Sequence, residues 1–139
     1  MADDARIEVD PVGFLSSTLT DLDRAPRQAD EGAPDATIVI RPELRDALDG
    51  LRVGDRLVVV TWLHRGDRST LSVHPRDDPT RPRAGVFATR SADRPNPIGL
   101  HEVELLGIDG TRLLVSPIEA IDGTPVLDVK PVLQGVDDR

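Results

Sequence analysis

The 139-residue chain has no cysteine and no tyrosine, one tryptophan and two phenylalanines. Without cysteine, disulfides and thiolate metal sites are excluded, and nothing indicates an oxidising compartment. With only Trp62, Phe14 and Phe87 as aromatics, the base-stacking platforms of single-strand nucleic-acid binders are hard to build. Long apolar runs are missing as well. The longest, Leu57 to Val60, falls far short of the roughly 20 residues a membrane-spanning helix needs. The acidic start MADDAR lacks the basic and apolar regions of a signal peptide. These absences predict a cytoplasmic protein with no membrane partner.

Basic charge is also in short supply, with a formal net charge of −8. Neutralising phosphates supplies much of the affinity of nucleic-acid binders, and the chain as a whole lacks that footprint. The distribution is uneven, however. Arg76, Arg81, Arg83, Arg90 and Arg94 cluster, while acids gather at Asp3, Asp4, Asp21, Asp23, Asp30, Glu31, Asp137 and Asp138, so a local positive face is open to the fold. No glycine fingerprint for dinucleotides, phosphate loop, paired zinc-binding histidines or nucleophile elbow is present. His64, His74 and His101 are far apart and have no spaced carboxylate partner, so no metal site is expected.

The length predicts one domain over residues 1–139, with Met1 to about Ala5 flexible. Ile7 to Phe14 reads as a short edge strand, and Ser16 to Pro34 as a surface loop. Thr37 to Ile40 is β-branched and therefore a strand. Pro42 to Leu51 carries Leu44, Ala47, Leu48 and Leu51 at helical spacing, which predicts one short helix with its leucines in the core. Arg56 to Leu63 is the strongest strand. It ends at His64-Arg65-Gly66, either a ligand contact or a surface turn.

Ser69 to His74 reads as a hairpin partner of that strand across Gly66-Asp67, and Val86 to Thr89 as a further strand. Leu100 to Ile108 sets Val103 and Leu105 on one face and Glu102 and Glu104 on the other. Asp109-Gly110 predicts a hairpin to Arg112–Val115, with both turn residues at positive φ. Ile118 to Ile121 leads to the turn Asp122–Pro125. In the last strand, Leu127 and Val129 are expected opposite Val126, Asp128 and Lys130. Asp122 and Asp128 could form a carboxylate pair, or Asp122 could simply serve its turn. Many short strands and one short helix predict a mainly β, barrel-like antiparallel sheet.

One stretch resists this reading. In GVFATRSADRPNPIGL, Gly85 to Leu100, Pro95 and Pro97 fix their own φ and push Arg94 and Asn96 toward extended backbone. The result is a stiff loop whose backbone groups need water, side chains or a ligand. Its arginines suit carboxylate or phosphate. A strand connection with its arginines in solvent is the alternative.

The blocks FATRSADRPNPIGL, Phe87 to Leu100, and DGTPVLDVKP, Asp122 to Pro131, together resemble the TsaA-like, or TrmO, family. Pro26-Arg27-Gln28 and His64-Arg65 are supporting matches, and the likeness runs from Val9 onward. It implies the TsaA/YaeB-like barrel and an S-adenosyl-L-methionine-dependent methyltransferase. In that family the activity is N6-methylation of threonylcarbamoyl-adenosine at tRNA position 37, by homodimers with the cofactor near the subunit interface. Residue by residue, the resemblance implies cofactor contacts at Pro26, Arg27, Gln28, His64, Arg65, Arg90, Leu100, Ile121, Asp122, Gly123 and Thr124. It leaves Arg94 and Asn96 to shape the loop or meet the methyl acceptor. His64 and Asp128 are the candidates for a base. Two departures bear on the acceptor: Val132 stands where the family often has tyrosine, and longer members carry a C-terminal domain that helps with tRNA. A small-molecule acceptor and a non-catalytic cofactor-binding module are the alternatives.

Overall fold

The computed structural model describes residues 6–18 and 35–133. The predicted flexibility of residues 1–5 and the loop that includes Pro26, Arg27 and Gln28 lie outside them. Six strands close into an antiparallel barrel in the order β1 (Gly13–Ser16), β2 (Ala36–Ile40), β7 (Arg112–Ser116), β6 (Ile98–Asp109), β3 (Arg56–Trp62) and β8 (Pro125–Pro131). Pairing of Gly13 with Val126 and Phe14 with Pro125 joins the two ends of the sheet. The two remaining strands, β4 (Ser72–Val73) and β5 (Ala84–Gly85), pair only with each other.

Alternation explains the interior. Ile38 and Ile40 from β2, Leu57 and Val59 from β3, Val103 and Leu105 from β6, and Leu113 and Val115 from β7 face inward and are buried. Truncating any one of these leucines would remove apolar burial and leave a cavity, a cost of about 2–5 kcal/mol. Thr61 and His101 share this interior, although both are polar.

Several sequence expectations are corrected. The first strand begins at Gly13 rather than Ile7, and Ile7 is 90% exposed. It is not an edge, because closure gives it a neighbour on both sides. The segment Pro42–Leu48 winds as a 3₁₀ helix with no fully buried residue, and Leu44, Leu48 and Leu51 pack half-buried against the barrel. Ser72–Val73 pairs with Ala84–Gly85 instead of β3, whose two edges are taken by β6 and β8. Val86–Ala88 is a 3₁₀ turn rather than a strand. In the β6–β7 turn only Gly110 has positive φ (61°), so the two-residue loop Gly110-Thr111 follows the pattern with glycine first.

Strand β8 holds the most consequential correction. Val60 pairs with Asp128 but Thr61 pairs with Val126, which leaves Leu127 as an extra residue in a bulge. The bulge breaks strict alternation, so Val126 and Val129 both turn toward the core. Period-two reading assigned them to opposite faces.

Candidate functional site

At one end of the barrel a cavity of about 710 Å³ opens between four segments: the turn after β3, the β4–β5 connection, the loop before β6, and the link from β7 to β8. This volume is typical of small-molecule sites, which run roughly 300–1,000 Å³. Arg65, Arg76, Arg81 and Arg90 line it together with the acids Asp77, Asp93 and Glu119. Arginines therefore outnumber acids here, in a chain whose net charge is −8. Arg81 is itself paired with Asp78 at 3.7 Å, and the guanidiniums offer planar donors whose geometry suits a carboxylate.

The walls are tied to one another. Gly66 sits so close to the loop before β6 that an added Cβ would collide with the Ala92 carbonyl. The Asp67 N–H donates to Asp93 Oδ1 at 2.8 Å, and the Leu63 N–H donates to the Pro97 carbonyl at 2.7 Å. Arg68 donates from Nε to the Pro95 carbonyl and from its terminal nitrogen to Asn96 Oδ1, while its guanidinium lies 5.1 Å from the Trp62 ring centroid. Arg94 donates to the Thr89 and Ser91 carbonyls at 2.9 and 3.0 Å. The proline-rich loop leaves those carbonyls without sheet partners, and arginine side chains supply the missing donors. Asp67 also accepts bonds from the Ser69 hydroxyl and N–H. These hold its carboxyl below the usual range, the hydroxyl contributing most.

The sequence-derived residues fall into distinct groups. His64, Arg65, Arg90, Ile121 and Thr124 all line the cavity, although they come from segments far apart in the chain. Asp122 and Gly123 adjoin it in a tight turn, where Asp122 Oδ1 accepts from the Ser17 N–H, the Gly123 N–H donates to the Leu15 carbonyl, and Gly123 has φ 81°. Asp122 thus ties its turn to the chain just after β1 and makes no pair with Asp128. Leu100 does not line the cavity and is 49% exposed on the outer wall of the barrel, opposite Val60. Asp128 does not line it either. Its carboxylate lies 3.3 Å from Lys130 and accepts from the Val129 N–H. Arg94 and Asn96 are engaged within the loop architecture.

Sequence reading missed three groups: Arg68, His101 and Glu119. His101 Nε2 is 2.7 Å from Thr61 Oγ1, and Nδ1 is 2.7 Å from Glu119 Oε1. A carboxylate only accepts, so Nδ1 donates to Glu119, and in the neutral ring Nε2 accepts from the Thr61 hydroxyl. A signal was available for His101, since the alternation in β6 sets it on the same face as Val103 and Leu105. A polar residue on a core face requires a buried partner. Nothing in the sequence pointed to Glu119 as that partner.

The family profile described as the tRNA-methyltransferase O N-terminal domain matches residues 14–138. The chain belongs to this family. It is 41% identical over 134 residues to a probable S-adenosyl-L-methionine-binding protein of Methanothermobacter thermautotrophicus, covering 96% of each chain. A probable S-adenosyl-L-methionine-binding protein of Pyrococcus horikoshii is 45% identical over 97 residues, 67% of this chain and 69% of the relative. Among solved structures, TrmO from Pseudomonas aeruginosa superposes with a TM-score of 0.73 at 32% identity, covering 97% of this chain. The chain spans 61% of that TrmO chain. The family places the barrel among S-adenosylmethionine-dependent methyltransferases.

The cavity fits that cofactor. S-adenosylmethionine presents a carboxylate, ribose hydroxyls, an adenine edge and a sulfonium. The arginines offer donors for the carboxylate, and Leu63, Phe87 and Ile121 supply apolar wall. Among the described residues no group of three or more potential ligands is placed to hold a metal, and no helix is long and apolar enough to cross a membrane.

Proposed function

We propose that the protein transfers the methyl group of S-adenosylmethionine to N6 of threonylcarbamoyl-adenosine in tRNA, in the cytoplasm. The observation that carries this reading is the convergence of His64, Arg65, Arg90, Ile121 and Thr124 on one cavity. These are residues to which the family likeness assigns cofactor contacts. His64 and Arg65 stand at the mouth on the turn after β3, Arg90 offers its guanidinium to the cofactor carboxylate, and the Ile121–Thr124 segment offers backbone groups to the adenine edge. Methyl transfer needs in-line approach above all, so positioning supplies much of the rate. Pro26, Arg27 and Gln28 belong to the same proposed cofactor set.

Incubation with cofactor and threonylcarbamoyl-adenosine-bearing tRNA, followed by nucleoside mass spectrometry, is expected to show the N6-methylated nucleoside. An unmethylated profile with active, cofactor-binding protein removes the tRNA reading. The net charge of −8 and pI near 4.8 favour a second reading, a small-molecule acceptor. Methyl label appearing in a metabolite extract and not in tRNA would establish it.

A homodimer completes the proposal. Ile98 and Leu100 on β6 stand 45% and 49% exposed, beside Trp62 and Val60 of β3. This outer stripe suits a second subunit, and Leu100 could then reach the partner's cofactor. Leu100→Asp is expected to shift the protein from dimer to monomer in sedimentation velocity, with the barrel's circular dichroism unchanged. A wild type that sediments as a monomer at micromolar concentration contradicts the dimer.

A further inference from the structure

Inside the mouth of the barrel one buried polar atom has no counterpart among the described residues. Glu119 lines the cavity, and its Oε1 accepts from His101. Its second oxygen, Oε2, is buried and finds no hydrogen-bond partner among the described residues. Leaving a buried acceptor unsatisfied is costly, the more so if it is charged. The fold nonetheless holds the carboxylate there with some care. His101 is 4% exposed and Thr61 fully buried, and the chain Thr61–His101–Glu119 fixes the carboxylate from the barrel interior outward. Gly99 makes the room, since a Cβ there would stand 2.6 Å from Thr61 Oγ1 and 2.8 Å from His101 Nε2. An oriented, unpartnered carboxylate oxygen on a ligand cavity is matched by a ligand N–H or O–H.

We propose that Glu119 is a catalytic residue that takes the proton from the nitrogen being methylated, with His101 and Thr61 as positioning residues. This rests on the methyl-transfer reading above. S-adenosylmethionine supplies an electrophilic methyl group. As the new N–C bond forms, the S–C bond breaks and its electrons stay on sulfur, leaving neutral S-adenosylhomocysteine. The acceptor nitrogen gives up one proton, and Glu119 Oε2 receives it. His101 keeps its Nδ1–H on Oε1, so the carboxylate presents only its free oxygen to the acceptor. The other acids lining the cavity are otherwise placed: Asp93 accepts from the Asp67 N–H, and Asp77 sits on the β4–β5 connection.

The test compares wild type with Glu119→Gln. Methyl-labelled cofactor is offered to threonylcarbamoyl-adenosine-bearing tRNA and, separately, to a small-metabolite extract, and calorimetry measures cofactor affinity. Glu119→Gln is expected to lower kcat about 100-fold or more, with KM and cofactor Kd within about threefold of wild type. Thr61→Val, nearly isosteric, is expected to lower kcat about fivefold at constant KM, and Thr61→Ser to restore it. These hydroxyl variants decide the matter if Glu119→Gln does not fold. A variant kcat within about threefold of wild type overturns the proposal, as does a loss found wholly in cofactor affinity. A wild type that labels only metabolites removes the tRNA substrate, and the same ratio on that acceptor then decides Glu119. Label in neither acceptor overturns methyl transfer and the role of Glu119 with it.

Discussion

Gly99→Ala is expected to lower the melting temperature by roughly 10 °C or more, equivalent to a loss of about 3 kcal/mol. A methyl group at this position would stand 2.6 Å from Thr61 Oγ1, 2.8 Å from His101 Nε2 and 3.1 Å from Leu63 Cδ1. None of the first two can withdraw cheaply. Thr61 is fully buried and bonded to His101 at 2.7 Å, and the ring is held on its other side by Glu119. Relief would require shifting β3 away from β6, which are paired from Arg56–Glu104 to Trp62–Ile98. Gly107→Ala is the control on the same strand. Its nearest neighbour would be Leu114 Cβ at 3.7 Å, an ordinary contact. Replacing glycine within a strand there should be neutral or stabilise by about 0.5 kcal/mol. Calorimetric melting of the two variants checks the pair, and equal melting temperatures would refute the packing argument.

Arg90→Ala is expected to raise the Kd for S-adenosylmethionine about 10- to 100-fold while leaving the melting temperature of the ligand-free protein within about 2 °C. A hydrogen bond to a charged group contributes about 1.5–3 kcal/mol, which converts to that range of affinity. The side chain is exposed at the cavity wall, so its removal disturbs no core packing. Arg94 differs in kind although it is only four residues away. Its guanidinium satisfies the Thr89 and Ser91 carbonyls and so shapes the loop that presents Arg90. Isothermal titration of Arg90→Ala settles the assignment, because unchanged affinity in a folded variant contradicts a cofactor contact.

These two effects come from neighbouring parts of one motif, and they explain its composition. Pro95 and Pro97 stiffen the loop, Arg94 and Arg68 satisfy its carbonyls, and Gly99 lets β6 pass over a buried polar pair. Of the loop's two arginines, Arg90 lines the cavity and Arg94 does not.

The sequence by itself determined the fold class, the strands from β2 onward that form the barrel wall, and five residues that line the cavity, His64, Arg65, Arg90, Ile121 and Thr124. Those features rest on local signals: β-branched runs, inward alternation in β3 and β6, a glycine turn after Asp109, and two motifs dense in proline, glycine and arginine. Tertiary structure alone decided the rest. Barrel closure gave β1 two neighbours, so it could not be an edge. The bulge at Leu127 put Val126 and Val129 on one face, because an unpaired residue shifts every side chain after it. Ser72–Val73 could not pair with β3, since β6 and β8 already occupied its hydrogen-bonding groups. The Thr61–His101–Glu119 chain joins residues 40 and 18 positions apart, so no spacing in the sequence could announce it. A buried hydrogen bond depends on where strands meet, and that is set by closure of the whole sheet rather than by any segment of it.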